Sequence, residues 1–177
     1  MVSQMDELEA MTQRIEDVFA NGTYPGDDQL VCDDAGHEWL DDPDEHRLKN
    51  AVKGKHWKEI IPVIVNPTFS DSIFYFTPKA FHYYFPAYLT AVLEFDDNTV
   101  FIYSVISAIT PGTVRFKGFL KEITPEEKDV IRGVLEYVYR TRAQDDELLK
   151  AYLETALLFW SNPHRQPDDW PNRDIRP

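Results

Sequence analysis

Residues able to ligate a metal or to act as nucleophiles are concentrated between positions 32 and 56 of the chain. They are Cys32, Asp33, Asp34, His37, Glu38, His46 and His56. Zinc binds ligands of these types, but its common motifs pair cysteines closely or place two histidines one helical turn apart. The chain has one cysteine and no such histidine pair, and Asp41 stands where an H-E-x-x-H motif starting at His37 would need its second histidine. We therefore expect no metal and no cofactor.

Hydrolysis is the catalytic chemistry that the same region would support. Cys32 and His37 would supply a nucleophile and a base, beside the carboxylates of Asp27 and Asp28. However, the chain has no G-x-S-x-G motif and no glycine-rich phosphate loop, and its seven glycines are scattered singly. Adjacent aspartates are typical of turns and helix caps. An enzyme of unrecognised, hydrolase-like class with these four residues in a cleft is thus the alternative hypothesis, and a non-enzymatic role is favoured.

The segment 77–90 gathers six aromatic or histidine side chains around Pro86. Helical spacing directs part of this set, Ala80, Phe81 and Tyr84, towards the interior. The others must pack against a second layer or reach the surface, and they are His82, Tyr83, Phe85 and Tyr88. A wide core wedge is one interpretation, and a protein interface is the other, because surface tyrosines give a large contact area. For His82 we expect a tyrosine hydroxyl or a backbone carbonyl as partner.

The charge of the chain is uneven. The net charge is −13, and residues 1–47 hold 14 acidic residues against only Arg14 and Arg47. Such a field repels nucleic acid and anionic lipid and attracts a basic protein. The candidate binding residues combine this acidic region with the aromatic segment, and they are Asp27, Asp28, Asp33, Asp34, His82, Tyr83 and Tyr88.

The location of the protein is predicted from features that the sequence lacks. Its single cysteine excludes an intrachain disulfide, which suits a reducing compartment. The acidic start, Met-Val-Ser-Gln-Met-Asp-Glu, does not resemble a secretory signal. No apolar run approaches the roughly 18 residues of a membrane span. We expect a cytoplasmic protein without contact to membranes.

Helical patterns dominate the chain. We predict helices at 4–19, from Asp42 to Gly54, and after the capping residues Thr77, Thr124 and Asp145. Because proline cannot donate to the preceding turn, Pro86 should divide one helix into pieces at 78–84 and 86–94. The segment 100–109 has the composition of a strand but the spacing of a helix, and we favour a helix. Short strands are predicted at 72–76 and 113–119.

These elements predict a mainly α, bundle-like domain over residues 1–161, with a minor strand pair and a kinked central helix at Pro86. Residues 162–177 hold four prolines and should form an extended tail, which Trp170 would pin to the domain.

Three segments carry a resemblance to a known family. They are Tyr-Pro-Gly-Asp-Asp at 24–28, Val-Lys-Gly-Lys-His-Trp at 52–57 and Thr-Pro-Lys-Ala-Phe-His-Tyr-Tyr-Phe-Pro-Ala-Tyr at 77–88. The chain resembles small bacterial proteins grouped as a domain of unknown function in the order and spacing of these segments, and in a later Thr124-Pro125-Glu126 and Trp160. The resemblance covers roughly residues 12–160. Val52 departs from the aromatic residue expected there. The resemblance implies an α-rich domain and a bacterial cytoplasm, and it supplies no activity.

The favoured hypothesis is a non-enzymatic protein-binding module, and its specific form is an immunity or antitoxin-like protein whose acidic face covers a basic partner such as a nuclease-type toxin. A scaffold subunit is a third hypothesis. The sequence determines neither the partner nor the oligomeric state.

Overall fold

A computed structural model of the chain describes residues 4–31, 43–95, 99–111 and 114–162, which fold into α-helices joined by short turns. The helices are α1 Gln4–Val18, α2 Pro43–Val52, α3 Ile61–Ile64, α4 Pro78–Glu94, α5 Thr99–Ala108, α6 Val114–Glu122, α7 Pro125–Arg142 and α8 Glu147–Trp160. Single 3-10 turns lie at Asp27–Gln29, Trp57–Ile60, Pro67–Phe69 and Ser72–Phe74. The predicted mainly α class is confirmed. Residues 163–177, where the tail and Trp170 were predicted, lie outside the described ranges.

Local capping signals fix several helix starts as expected. The Thr77 hydroxyl accepts from the Ala80 backbone N–H, and Thr124 forms a complete capping box with Glu127. At α8 the cap is Asp146, one residue later than predicted, because its carboxylate accepts from the backbone N–H groups of residues 148 and 149. The helix predicted at 100–109 is confirmed as α5.

Helix α4 is continuous, and the predicted division at Pro86 is wrong. It runs from Pro78 to Glu94 with Pro86 inside it. An interior proline costs a helix about 3 kcal/mol, since it removes a hydrogen bond and crowds the carbonyl four residues back. The burial of nearly every side chain from Ala80 to Leu93 offsets that cost.

The predicted strand pair is not found in the described part of the chain. Ser72–Phe74 is a 3-10 turn, and the segment predicted as a strand at 113–119 falls largely within α6. Next to the first of these two segments, an isolated antiparallel β-bridge joins Val31 to Phe76. Tertiary packing overrode strand propensity, as Phe119 of α6 inserts edge-on against Phe81 at a centroid distance of 4.4 Å.

The hydrophobic core is built around α4, which contacts α1, α3, α5, α6 and α7. The largest fully buried side chains are mainly aromatic and include Phe76, Tyr84, Phe85, Tyr88, Phe101 and Phe119. At the far end of α4, the Arg142 guanidinium donates to the backbone carbonyls of Val92 and Leu93, so α7 caps the central helix. No helix of the described ranges is long and apolar enough to cross a membrane.

Candidate functional site

An open cleft of about 770 Å³ lies between the end of α1, the start of α4 and the connection from α6 to α7. Its described lining residues are Val18, Asn21, Gly22, Thr23, Tyr24, Pro25, Gln29, Lys79, His82, Glu122, Thr124, Glu126 and Glu127. Clefts of this size are ordinary binding sites for small molecules and for partner side chains. We refer to it as the α4–α7 cleft.

Two helix starts place the charged walls of the α4–α7 cleft. The Thr77 cap begins α4, so that Lys79 and His82, three residues apart, lie on the same side of its first turns. The Thr124 capping box begins α7 opposite them and holds the Glu127 side chain. Both starts follow from local sequence, but their juxtaposition follows from the packing of α4 against α6 and α7.

His82 and Glu127 form a pair in the wall of the cleft. The His82 Nε2 atom lies 2.9 Å from Oε1 of Glu127, and the other carboxylate oxygen accepts from the Thr124 backbone N–H at 2.7 Å. Glu127 is 5% exposed. Burial by itself raises the pKa of this carboxyl, but the hydrogen bonds from His82 and Thr124 outweigh burial and hold the pKa below its ordinary value. Glu127 is therefore ionised at neutral pH.

The ionised Glu127 carboxylate determines which nitrogen of His82 carries the proton in the neutral form of the ring. The carboxylate only accepts, so Nε2 carries the proton and Nδ1 keeps the lone pair. The His82 side chain is 23% exposed, and its ring also packs against Phe19 and Phe119. The pair thus joins α4 to α7 in the wall of the cleft.

The cleft carries a negative charge. Glu122, Glu126 and Glu127 contribute carboxylates, and Lys79 is the one lysine or arginine among the described lining residues. Glu122 and Glu126 are exposed. Such a lining attracts ammonium and guanidinium groups and disfavours anions.

Asp27 and Asp28, the candidate aspartates within the described ranges, are not among the lining residues of the cleft. Asp27 accepts a 2.5 Å hydrogen bond from the Tyr24 hydroxyl and lies 3.3 Å from the Lys53 ammonium. The hydrogen bond from Tyr24 is the main reason that the pKa of Asp27 is lowered. Asp28 is exposed on the same turn. Asp33, Asp34, Cys32 and His37 lie outside the described residues.

The tyrosines of the aromatic segment, for which a core wedge and a protein interface were the two interpretations, are buried. Tyr88 is 1% exposed, and its hydroxyl pairs with Ser72 at 2.6 Å. Tyr83 is 7% exposed and packs edge-on against Tyr24. Burial raises the pKa of both tyrosines. The core-wedge interpretation fits these positions. Of the candidate binding residues in this segment, His82, Tyr83 and Tyr88, His82 is the one that lines the cleft. Its partner is a carboxylate rather than the predicted tyrosine hydroxyl or backbone carbonyl.

The three segments that carry the family resemblance meet at one junction. The Gly54 backbone N–H donates to the Tyr24 hydroxyl at 2.8 Å, and Tyr84 donates to the Val52 carbonyl at 2.8 Å. The His56 ring packs edge-on against Tyr83. Gly54 has a φ of 69°, which glycine adopts without strain. These motifs therefore position the turn bearing Tyr24 against α4, next to the cleft.

Sequence reasoning missed the acidic wall. Glu127 occupies the third position of the Thr124 capping box, but nothing in the sequence indicates that it would meet His82, 45 positions away. The sequence signal that could have indicated the acidic wall is the negative charge of the capping motif at the start of α7. Among residues 4–31, 43–95, 99–111 and 114–162, no cluster of three or more histidine, cysteine or acidic side chains could hold a metal ion.

Comparison with known proteins identifies one match. The sequence model described as Family of unknown function (DUF6714) matches residues 7–164. Neither a curated protein nor a solved structure matches the chain.

Proposed function

The chain belongs to this family of unknown function, and we propose that it is a non-enzymatic protein-binding module that accepts a basic segment of a partner protein in the α4–α7 cleft. The observation that carries the proposal is the cleft itself, in which the exposed carboxylates of Glu122 and Glu126 outnumber Lys79, the one lysine or arginine among the described lining residues. A lysine or arginine side chain of a partner would find several acceptors there without displacing a buried group. Arginine suits such a site especially, because its five N–H donors match carboxylates in a fixed geometry.

The charge of the rest of the chain supports a basic partner. The net charge of −13 makes association with a basic surface fast and salt-dependent. Helix α1 ends at the cleft and carries five acidic residues against Arg14, of which Glu7 pairs with Arg140 and Glu16 pairs with Lys58. A partner that fills the cleft would therefore also lie beside an acidic helix.

The specific form of the proposal is an immunity or antitoxin-like role in a bacterial cytoplasm. A toxin that acts on nucleic acid presents a basic active site, because it must bind phosphates. An acidic protein with an anionic cleft is complementary to such a surface. A scaffold role within a larger assembly would use the same recognition.

Labelled peptides test the cleft directly. Fluorescence anisotropy would compare an arginine-rich peptide with a glutamate-rich peptide of equal length, at low and high salt. The double variant Glu122→Gln, Glu126→Gln removes two cleft charges, and Glu94→Gln, Glu136→Gln removes two exposed charges elsewhere. We expect the cleft variant to weaken binding of the basic peptide about tenfold, equal to 1.4 kcal/mol, and the control variant to change it little. Equal losses in both variants, or no binding by wild type, would contradict the proposal.

The His82–Glu127 pair favours a second candidate function, hydrolysis by general-base catalysis. The carboxylate orients the ring as in known histidine–carboxylate pairs, and Nδ1 would accept a proton from an attacking water. Turnover of chromogenic esters by wild type, and its loss in His82→Gln, would support this function. No turnover above buffer would rule it out and leave the pair with its structural role.

A further inference from the structure

A second groove lies between α1 and α7, and it shares no described lining residue with the α4–α7 cleft. Its volume of about 370 Å³ is that of about twelve water molecules, which suits a small organic ligand rather than a protein segment. Its apolar lining residues are Met11, which is half-buried, and Val130 and Val134, which are buried. We refer to it as the α1–α7 groove.

The antiparallel packing of α1 and α7 places Arg14 level with Gly133 in this groove. Near one end, the Glu7 carboxylate of α1 lies 2.6 Å from the Arg140 guanidinium of α7. At the other end, α1 stops at the α4–α7 cleft, where α7 begins. Arg14 follows Glu7 by seven residues and Gly133 precedes Arg140 by seven, so both lie about two helical turns from the Glu7–Arg140 pair.

Gly133 keeps the groove open without a packing reason for doing so. Glycine inside a helix is less stable than alanine, and a Cβ atom at position 133 would meet nothing within 4 Å. Neighbouring helices therefore do not require a glycine there, in contrast to Gly118, whose Cβ would collide with Pro78. A residue that lowers stability without a steric need is typical of a site that has to accommodate a ligand.

The charges of the α1–α7 groove select an anionic ligand. Both acidic lining residues already have a cation, since Glu7 pairs with Arg140 and Glu136 lies 3.7 Å from Arg132. Arg14 is exposed, and among the described residues its guanidinium has no hydrogen-bond or ion-pair partner. The planar guanidinium group donates two parallel hydrogen bonds to a carboxylate. The unsatisfied charge in the groove is thus positive and lies beside an apolar surface.

We propose that the α1–α7 groove binds a small organic acid, whose carboxylate pairs with Arg14 and whose aliphatic or aromatic part lies over Gly133 against Val130 and Val134. The net charge of −13 disfavours anions in general, but charges farther away than about 8 Å are largely screened at physiological salt. The local pairing at Arg14 therefore decides. This inference does not depend on the proposed function, because that partner is basic and occupies the α4–α7 cleft.

Titrations of the full chain with three small probes test the site. Phenylacetate carries both the carboxylate and the apolar ring, phenylacetamide has the same shape without the charge, and acetate lacks the ring. Binding is followed by the amide signals of the isotope-labelled protein in NMR spectra, in which Gly133 reports on the groove. We expect phenylacetate to shift the Gly133 signal and to bind about tenfold more tightly than phenylacetamide or acetate.

Matched variants assign the preference to Arg14 and to the space over Gly133. In Arg14→Gln the preference for the acid over the amide should disappear, whereas Arg47→Gln removes a charge from an arginine that is 65% exposed on α2 and should leave it unchanged. Gly133→Leu fills the groove and should abolish binding of the acid and of the amide. Its control, Ala151→Leu, adds the same side chain at an exposed position of α8 and should leave both affinities unchanged. Circular dichroism checks that the variants fold.

Several results would overturn the proposal. They are the absence of phenylacetate binding by wild type at millimolar concentration, an acid preference that persists in Arg14→Gln, an equal loss in Arg47→Gln, and binding that survives in Gly133→Leu. A short peptide that ends in phenylalanine distinguishes a small acid from the carboxyl end of a partner chain. Tighter binding of this peptide than of phenylacetate would identify a polypeptide as the ligand and would refute the assignment to a small acid.

Discussion

Replacing Gly118 by alanine should destabilise the protein, whereas the same change at Gly133 should stabilise it. Both glycines lie inside helices, Gly118 in α6 and Gly133 in α7. A Cβ atom on Gly118 would lie 2.7 Å from Cγ and 2.9 Å from Cβ of Pro78. A Cβ atom on Gly133 would meet nothing within 4 Å. The chemical change is identical, so only the surroundings differ.

The magnitudes follow from two opposing effects. In a helix interior, alanine is favoured over glycine by about 1 kcal/mol, and this gain applies at both sites. At Gly118 the carbon contacts are far inside the ordinary separation of roughly 3.5 Å or more. The Pro78 ring cannot rotate away, because it begins α4 under the Thr77 cap. Overpacking of this kind costs about 1–3 kcal/mol. The net effect is a loss of up to about 2 kcal/mol at Gly118 and a gain of up to about 1 kcal/mol at Gly133.

Urea denaturation followed by circular dichroism measures the difference. For a chain of this size, each 1 kcal/mol moves the melting temperature by about 2–4 °C, so thermal melts provide a second readout. Because the propensity gain is common to both variants, their difference isolates the contact with Pro78. Shifts of the same sign and size at Gly118 and Gly133 would refute the packing argument, and with it the close approach of α6 to the start of α4 that shapes one wall of the cleft.

Three further predictions concern buried or paired polar groups. Glu127→Gln should lower the free energy of unfolding by about 1–2 kcal/mol at pH 7, while the exposed Glu126→Gln changes it little. The folded pKa of Glu127 lies below its unfolded value. The stabilisation by the carboxylate is therefore complete above the unfolded pKa and is lost as the pH falls through the folded pKa. A difference between the urea midpoints of wild type and Glu127→Gln that persists in acid would contradict this prediction. Thr90→Val should be neutral or stabilise by about 1 kcal/mol, since the buried Thr90 Oγ1 has no hydrogen-bond partner among the described residues. Ser72→Ala should destabilise by about 1–2 kcal/mol, because it removes the partner of the buried Tyr88 hydroxyl. Thermal melts in which Thr90→Val and Ser72→Ala lower the melting temperature equally would refute the expected difference between them. Tyr24→Phe leaves the Gly54 N–H without its acceptor and should cost about 1 kcal/mol, which denaturation midpoints would detect.

Helix starts were predictable because their signals are local. Thr77 and Thr124 cap helices through hydrogen bonds that reach only three residues along the chain. The periodicity of 100–109 identified a helix in spite of its strand-like composition. At Asp146 the prediction was displaced by one residue, because two adjacent aspartates were equally able to cap.

The failures have a common physical cause, which is contact between distant segments. Pro86 lies within α4 because the surrounding core supports the helix through a residue that normally ends one. The segment around Phe119 became helical because its aromatic ring packs edge-on against the stacked rings of Phe81 and Phe85. The sequence next to Pro86 and next to Phe119 contains no pattern that indicates this packing.

By itself, the sequence determined the helical class, the helix starts and the excess of negative charge, because these depend on single residues and short-range spacing. Only the tertiary structure decided which groups meet in the cleft. His82 and Glu127 pair across 45 positions of the chain, and packing around α4 decided that Tyr83 and Tyr88 lie in the core rather than at an interface. Short-range patterns specify which face of a helix is apolar, whereas the partner of that face is determined by how the whole chain packs.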